Sequence, residues 1–130
     1  MNDILVPVSP GELLDKITIL RIKSARMSDA AKLANVRHEL ALLETTWRSA
    51  VPAPAALQEA AQALEAVNLR LWIIEDEIRA CEASGNFGAQ FIALARAVYI
   101  ENDARAALKK RINLALGSAL VEEKSYQSYR

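Results

Sequence analysis

A heptad seam in the second half of the chain limits the fold more than any other feature. Leu57, Ala60, Leu64, Val67, Leu71, Ile74, Ile78 and Cys81 recur at alternating spacings of three and four. That alternation puts them on one stripe of a helix and predicts a rod over about 55–83. Ser84-Gly85-Asn86-Phe87-Gly88 follows as a tight reversal, its two glycines supplying positive φ. A second rod is predicted from about Ala89 to Leu116, with Gly117 as its C-terminal stop. At 1.5 Å per residue each rod is roughly 40 Å long, and so short a connection makes them antiparallel.

Two shorter helices precede the hairpin. Residues 1–8 read as an extended lead into Ser9-Pro10-Gly11-Glu12. Ser9 suits the N-cap, Pro10 the first turn, and Glu12 the reciprocal position of a capping box. Helix one then runs to about Met27 on a stripe of Leu13, Ile17, Leu20 and Ser24, widened by Leu14, Ile19 and Ile22. Ser28-Asp29 caps helix two, which continues to about Ser49 with Leu33, Val36, Leu40, Leu43 and Trp47 aligned. Val51-Pro52-Ala53-Pro54 breaks it, because proline removes an amide donor and restricts the residue before it. The expected fold is all-α: one domain over 1–130, an antiparallel bundle of about four helices built on the long hairpin. Residues 118–130 form a polar tail with Tyr126 and Tyr129 as anchors.

Composition narrows the function classes. Lys plus Arg equals Asp plus Glu at 16 each, so no global basic field is available for nucleic acid or an anionic membrane. No run approaches about 18 uninterrupted apolar residues, so no bilayer span is expected. The first residues lack a basic stretch followed by a long apolar run, so they do not read as a secretory signal. The lone Cys81 excludes an intramolecular disulfide and suits a reducing cytoplasm. Aromatics make up only 5% of the chain and Ala carries much of its apolar share. Such a core is thin, and long helices with thin cores gain burial by pairing with a second copy.

The stripe of helix four breaks in the middle. Phe91, Leu94 and Val98 give way to Glu101, Asn102 and Arg105 before Leu108, Ile112 and Ala115 resume. Asn68, Trp72, Glu75, Arg79 and Glu82 form a matching second stripe on helix three. With the reversal near Gly85, partner numbers total about 171. Glu75 then opposes Arg96, and Asn68 opposes Asn102 and Asp103. A polar layer inside the hairpin is the expectation. The same residues allow three readings. Glu75–Arg79, Glu101–Arg105 and Glu12–Lys16 are i, i+4 pairs in the favourable order, the ordinary dress of a solvated face. They also suit a buried network that fixes register or a dimer contact, or a ligand site.

Other candidates carry less. His38 stands without a second His or a nearby Cys, so no metal site is expected. Cys81, Trp47 and Trp72 read as packing residues. Lys109-Lys110-Arg111 complements the dipole at a helix C-terminus. Walker, dinucleotide, nucleophile-elbow and zinc spacings are all missing, and no cofactor is implied.

Several longer stretches are distinctive: Ser9-Pro10-Gly11-Glu12-Leu13-Leu14-Asp15-Lys16-Ile17-Thr18-Ile19-Leu20, Leu71-Trp72 with Ile74-Glu75-Asp76-Glu77-Ile78-Arg79, Phe91-Ile92-Ala93-Leu94-Ala95-Arg96, Asn102-Asp103-Ala104-Arg105, and Gly117-Ser118 with Val121-Glu122-Glu123-Lys124-Ser125-Tyr126. Together they resemble a small uncharacterised bacterial family of unknown function, over nearly the whole chain. The resemblance implies a bacterial cytoplasmic protein and brings no reaction or catalytic residue with it. Asp15, Lys16 and Thr18 lie away from the Leu13-Ile17-Leu20 stripe, and Glu123 and Lys124 sit in a tail able to fold over the hairpin.

Two functions compete. The first is an interaction module, a helical-bundle homodimer presenting a groove to a protein partner. The second is a binding protein or cofactor-free enzyme for an anionic metabolite. Its site would lie between the long helices, formed by Glu75, Arg79, Arg96, Asn102, Arg105 and Lys109. The cations would hold the anion and Glu75 would accept or carry a proton. A magnesium-dependent all-helical pyrophosphatase is disfavoured, since Glu75-Asp76-Glu77 and Glu101 with Asp103 turn to different faces.

Overall fold

A computed structural model of the chain describes residues 1–51 and 54–129. Helix α1 spans Pro10–Arg26 and α2 spans Ala30–Ala50. A 3₁₀ turn at Pro54–Leu57 leads into α3, Gln58–Ser84, and α4 covers Ala89–Ala115. The four helices form an antiparallel bundle in which α3 and α4 pack along each other. Helix α3 begins three residues later than expected, because Pro54–Leu57 takes the tighter 3₁₀ geometry. Pro52 and Ala53 of the expected breaker lie outside the described residues.

Local chemistry explains the helix ends. Ser9 Oγ accepts the Glu12 N–H at 3.2 Å, and Asp29 Oδ1 accepts the Lys32 N–H at 2.9 Å. The return half of the capping box is not made, since the Glu12 carboxylate goes to Lys109 instead. Helices α3 and α4 end in the same motif. Asn86 N–H reaches Cys81 C=O and Ser118 N–H reaches Asn113 C=O, with Gly85 at φ 70° and Gly117 at φ 65°. Gly88, expected to share the positive φ of the reversal, instead has φ −83°. Its N–H donates to Asn86 Oδ1 at 3.2 Å, an Asx turn that starts α4.

Helix α1 is the centre of the packing. It touches α2 on one side and both α3 and α4 on the other. Gly11, Leu14, Asp15, Thr18 and Ile22 form a buried stripe towards the hairpin, while Leu13, Ile17 and Leu20 carry α2. Leu14, Ala60, Leu64 and Ile112 make the main core, with Trp47, Leu108 and Leu116 against it. Helix α2 rests chiefly on α1, which leaves its expected stripe only half-buried and none of its residues fully so. The ends of the hairpin differ. Near α1 the seam is buried at Leu57, Ala60, Leu64 and Val67. Past Asn68 the cover of α1 thins to the wall of an open cleft, where Ile19 and Ile22 stand with Leu71 and Trp72, and Leu71, Ile74, Ile78, Phe91, Leu94 and Val98 are half-buried. Residues 71–100 therefore extend as a two-helix arm, with Cys81 buried in its seam. The polar tail folds back along α4 as a strap: Glu122 meets Lys109, Lys124 meets Asp103, and Tyr129 packs edge-on against Tyr99.

Candidate functional site

The functional candidate is a buried polar junction where α1, α3 and α4 meet. Asp15, 1% exposed, lies at its centre. Arg105 of α4 donates through Nε to Asp15 Oδ1 at 2.9 Å and through Nη2 to Oδ2. Asn68 of α3 donates through Nδ2 to Asp15 Oδ1 and to Thr18 Oγ1, each at 2.9 Å. Thr18 in turn donates to its own helix at the Asp15 carbonyl, 2.8 Å away. The bidentate pair is the strong form of a charge-assisted hydrogen bond, and it holds three helices at one point. Asp15's hydrogen bond also keeps the Arg105 guanidinium above its ordinary value, against the opposing pull of burial.

One turn further along α4, Lys109 occupies a second node. Its side chain is 8% exposed, and Nζ stands 2.7 Å from Glu12, 2.8 Å from Glu122 and 3.9 Å from Asp15. Burial pulls the ammonium pKa down. The hydrogen bonds that it donates to Glu12 and Glu122 and the charge of Asp15 outweigh that pull and leave it raised. Another turn on, Asn113 Oδ1 accepts the Gly11 N–H at 2.7 Å and so satisfies an orphan donor of the α1 terminus. Asn113 Nδ2 is buried with no partner among the described residues. A Cβ on Gly11 would stand 2.5 Å from the Lys109 carbonyl oxygen, so the helices touch backbone to backbone here.

Two clefts open from the junction. One of about 410 Å³ lies between α1, α3 and α4, floored by Ile19, Ile22, Leu71 and Trp72. Asn68, Asn102 and Arg105 line it together, as do Glu75, Asp76 and Arg79. The other, about 240 Å³, lies under the strap and is lined by Glu12, Asn102, Arg105, Lys109, Glu122 and Lys124.

Of the residues expected between the long helices, Asn102, Arg105 and Lys109 belong to the junction. Glu75 and Arg79 line the first cleft as an exposed pair at 3.3 Å. Arg96 is exposed and has no ion pair with the described residues, so it does not face Glu75. The anticipated hairpin register holds, since Arg70 and Glu101 pair across it at 3.1 Å. The partners of the polar layer differ. Asn68 bonds Asp15 and Thr18 of α1 rather than Asn102, and Arg105 pairs with Asp15 rather than Glu101. Lys16 pairs with Glu39 of α2 at 3.2 Å rather than with Glu12. Lys109, Lys110 and Arg111 meet carboxylates of Glu12, Glu122, Glu123 and Glu59 instead of serving only a helix terminus.

The sequence marks Asp15 and Thr18 only as polar residues off the Leu13-Ile17-Leu20 stripe and Glu12 only as a capping residue, and it gives Gly11 and Asn113 no site role. Gly11, Leu14, Asp15, Thr18 and Ile22 do recur at helical-face spacing, and that second stripe was the available signal. Among the described residues no cluster of His, Cys, Asp and Glu could hold a metal ion, and no helix is long and apolar enough to cross a membrane.

No curated protein and no solved structure matches the chain. A family model does match, over residues 4–129. That span takes in α1 to α4, the junction and the strap, and the chain belongs to the family of unknown function designated DUF6165.

Proposed function

We propose that this chain is an interaction module that forms a homodimer through its α3–α4 arm. The observation that carries the reading is α4, which is apolar on two faces in the arm. Phe91, Leu94 and Val98 are half-buried in the seam, while Ile92 and Ile100 are exposed beside Tyr99, which meets Tyr129 of the strap. A helix apolar on both sides belongs inside a larger bundle. A two-helix arm has one seam, and a second identical hairpin closes it into four helices with closed two-fold symmetry.

Charge supports a second copy as the occupant. Arg96, Glu77 and Glu82 are exposed and form no ion pair within the described chain. Two-fold pairing brings Arg96 of each arm towards the acidic edge of the other. The lone Cys81, buried and free, suits a reducing compartment, and we place the protein in the bacterial cytoplasm. A site for an anionic metabolite at the junction is the weaker reading. Three carboxylates, Asp15, Glu12 and Glu122, already face the two cations Arg105 and Lys109.

Size-exclusion chromatography with light scattering tests the dimer. The wild type should run at twice the 14.3 kDa chain mass. Ile92→Glu with Ile100→Glu should run as a monomer and keep its helical circular dichroism. A wild type that stays monomeric at about 100 μM sinks the reading.

A further inference from the structure

The larger cleft carries an inference independent of the dimer, because it lies on the α1 side of the hairpin, away from the exposed Ile92 face. Its polar end is fixed by the carboxylate of Asp15. Since a carboxylate only accepts, Asn68 must present Nδ2 to Asp15 Oδ1, and the same nitrogen donates to Thr18 Oγ1. Asn68 Oδ1 therefore faces away from both and accepts no bond from the described residues. Asn102 has the opposite polarity. Its Oδ1 lies 3.5 Å from Arg105 Nη1, and its Nδ2 has no partner among the described residues. Arg105 commits Nε and Nη2 to Asp15, which leaves Nη1 with only that long contact.

One acceptor and two donors thus line the same cleft, beside the apolar Ile19, Ile22 and Leu71, the indole of Trp72 and the charged Glu75, Asp76 and Arg79. A carboxylate or phosphate is poorly matched, because it would meet Asn68 Oδ1 and Asp76 and find Arg105 already paired with Asp15 and Arg79 with Glu75. A hydrocarbon would strip water from the two amides and leave them unpaired, which costs free energy. A neutral planar molecule with an N–H beside a C=O satisfies both sides. We propose that this cleft binds such a molecule through its amide edge, a primary carboxamide or a cyclic amide. Its N–H donates to Asn68 Oδ1, and its C=O accepts from Asn102 Nδ2 and Arg105 Nη1. Trp72 flanks the ring. The volume, about 410 Å³, falls within the usual range for small-molecule sites.

The test uses the full chain with Trp47→Phe, so that Trp72 is the single indole. Benzamide, nicotinamide and uracil are titrated against benzoate and toluene, reading Trp72 fluorescence. Saturation-transfer NMR on the unmutated protein runs in parallel. The amide probes should saturate, with benzoate and toluene each about tenfold weaker or more. Asn102→Leu should erase the preference of benzamide over toluene while circular dichroism stays unchanged, since Asn102 makes only the 3.5 Å contact. Benzoate binding as tightly as benzamide overturns the proposal. So does unchanged benzamide affinity in Asn102→Leu, or no saturation by any amide up to about 10 mM.

Discussion

Asp15 and Arg105 stand 90 positions apart in the chain and share a bidentate ion pair whose carboxylate is nearly fully buried. Its net contribution to stability is not large by default, because taking both ions out of water offsets most of their attraction. Its geometric effect is clearer. The pair, with Asn68 and Thr18, sets where α1 crosses the hairpin, and so sets where the cleft opens and where the uncovered arm begins.

Asp15→Ala should therefore be severe. It strips the partner from Arg105 and one acceptor from the buried Asn68 amide, a change that costs about 3–5 kcal/mol when a buried pair is broken. Glu75→Ala removes an ion pair too, but an exposed one, and should cost about 0–1 kcal/mol. Urea unfolding of the two variants side by side measures the contrast. Equal losses would mean that the Asp15 junction is no more buried in solution than a surface pair.

Gly11→Ala tests the backbone-to-backbone approach of α1 to α4. A methyl group there would sit 2.5 Å from the Lys109 carbonyl oxygen and 2.9 Å from Asn113 Oδ1, and both belong to a packed helix. The α1 terminus must move off α4, which also loosens the Gly11 N–H bond to Asn113. Overpacking of this kind costs about 1–3 kcal/mol. Alanine is otherwise the better helix former, so a variant as stable as the wild type in urea would show that α1 does not seat on α4.

These two variants mark the boundary of what could be read from the chain. The Leu57-to-Cys81 seam defined the hairpin because its spacing is a local property, and Arg70–Glu101 shows that the register followed from the reversal. In the sequence Asp15 and Thr18 stand out only as polar residues off the Leu13-Ile17-Leu20 stripe, because polarity is local, whereas their burial depends on Asn68 and Arg105 far along the chain. The polar break in α4 did signal a junction. Its partner is α1 rather than α3 alone, since the short helix lies across the hairpin where Asn102 and Arg105 interrupt the stripe.

Stability at high pH should report on Lys109. Its native pKa is raised above the ordinary lysine value of 10.5. The ammonium's contribution is therefore fully present below that value and is lost as pH rises through the higher native one. Urea unfolding of the wild type and Lys109→Met should give a constant stability gap between about pH 7 and 9, which shrinks once the pH passes the ordinary lysine value of 10.5. Taking the difference between the proteins removes the shared titration of the tyrosines and other lysines. A gap that does not shrink past that value would mean that Glu12 and Glu122 do not hold a charged Lys109.

Hydrogen exchange should separate the two ends of the hairpin. Near α1, residues 60–68 and 105–113 include the buried Ala60, Leu64, Val67, Asn68, Lys109, Ile112 and Asn113. In the arm, Cys81 is the only buried side chain among the described residues from 71 to 100. Local opening follows buried contact, so amides of 72–84 and 89–100 should exchange well before those near α1 in the monomeric Ile92→Glu, Ile100→Glu variant. A second copy docked on the arm would add a second seam, and protection of the arm in the wild type should then rise towards that of the near end. Arm protection that is equal in the two proteins would mean that the second copy, if bound at all, sits elsewhere, and the exposed faces of Ile92 and Ile100 would need another explanation.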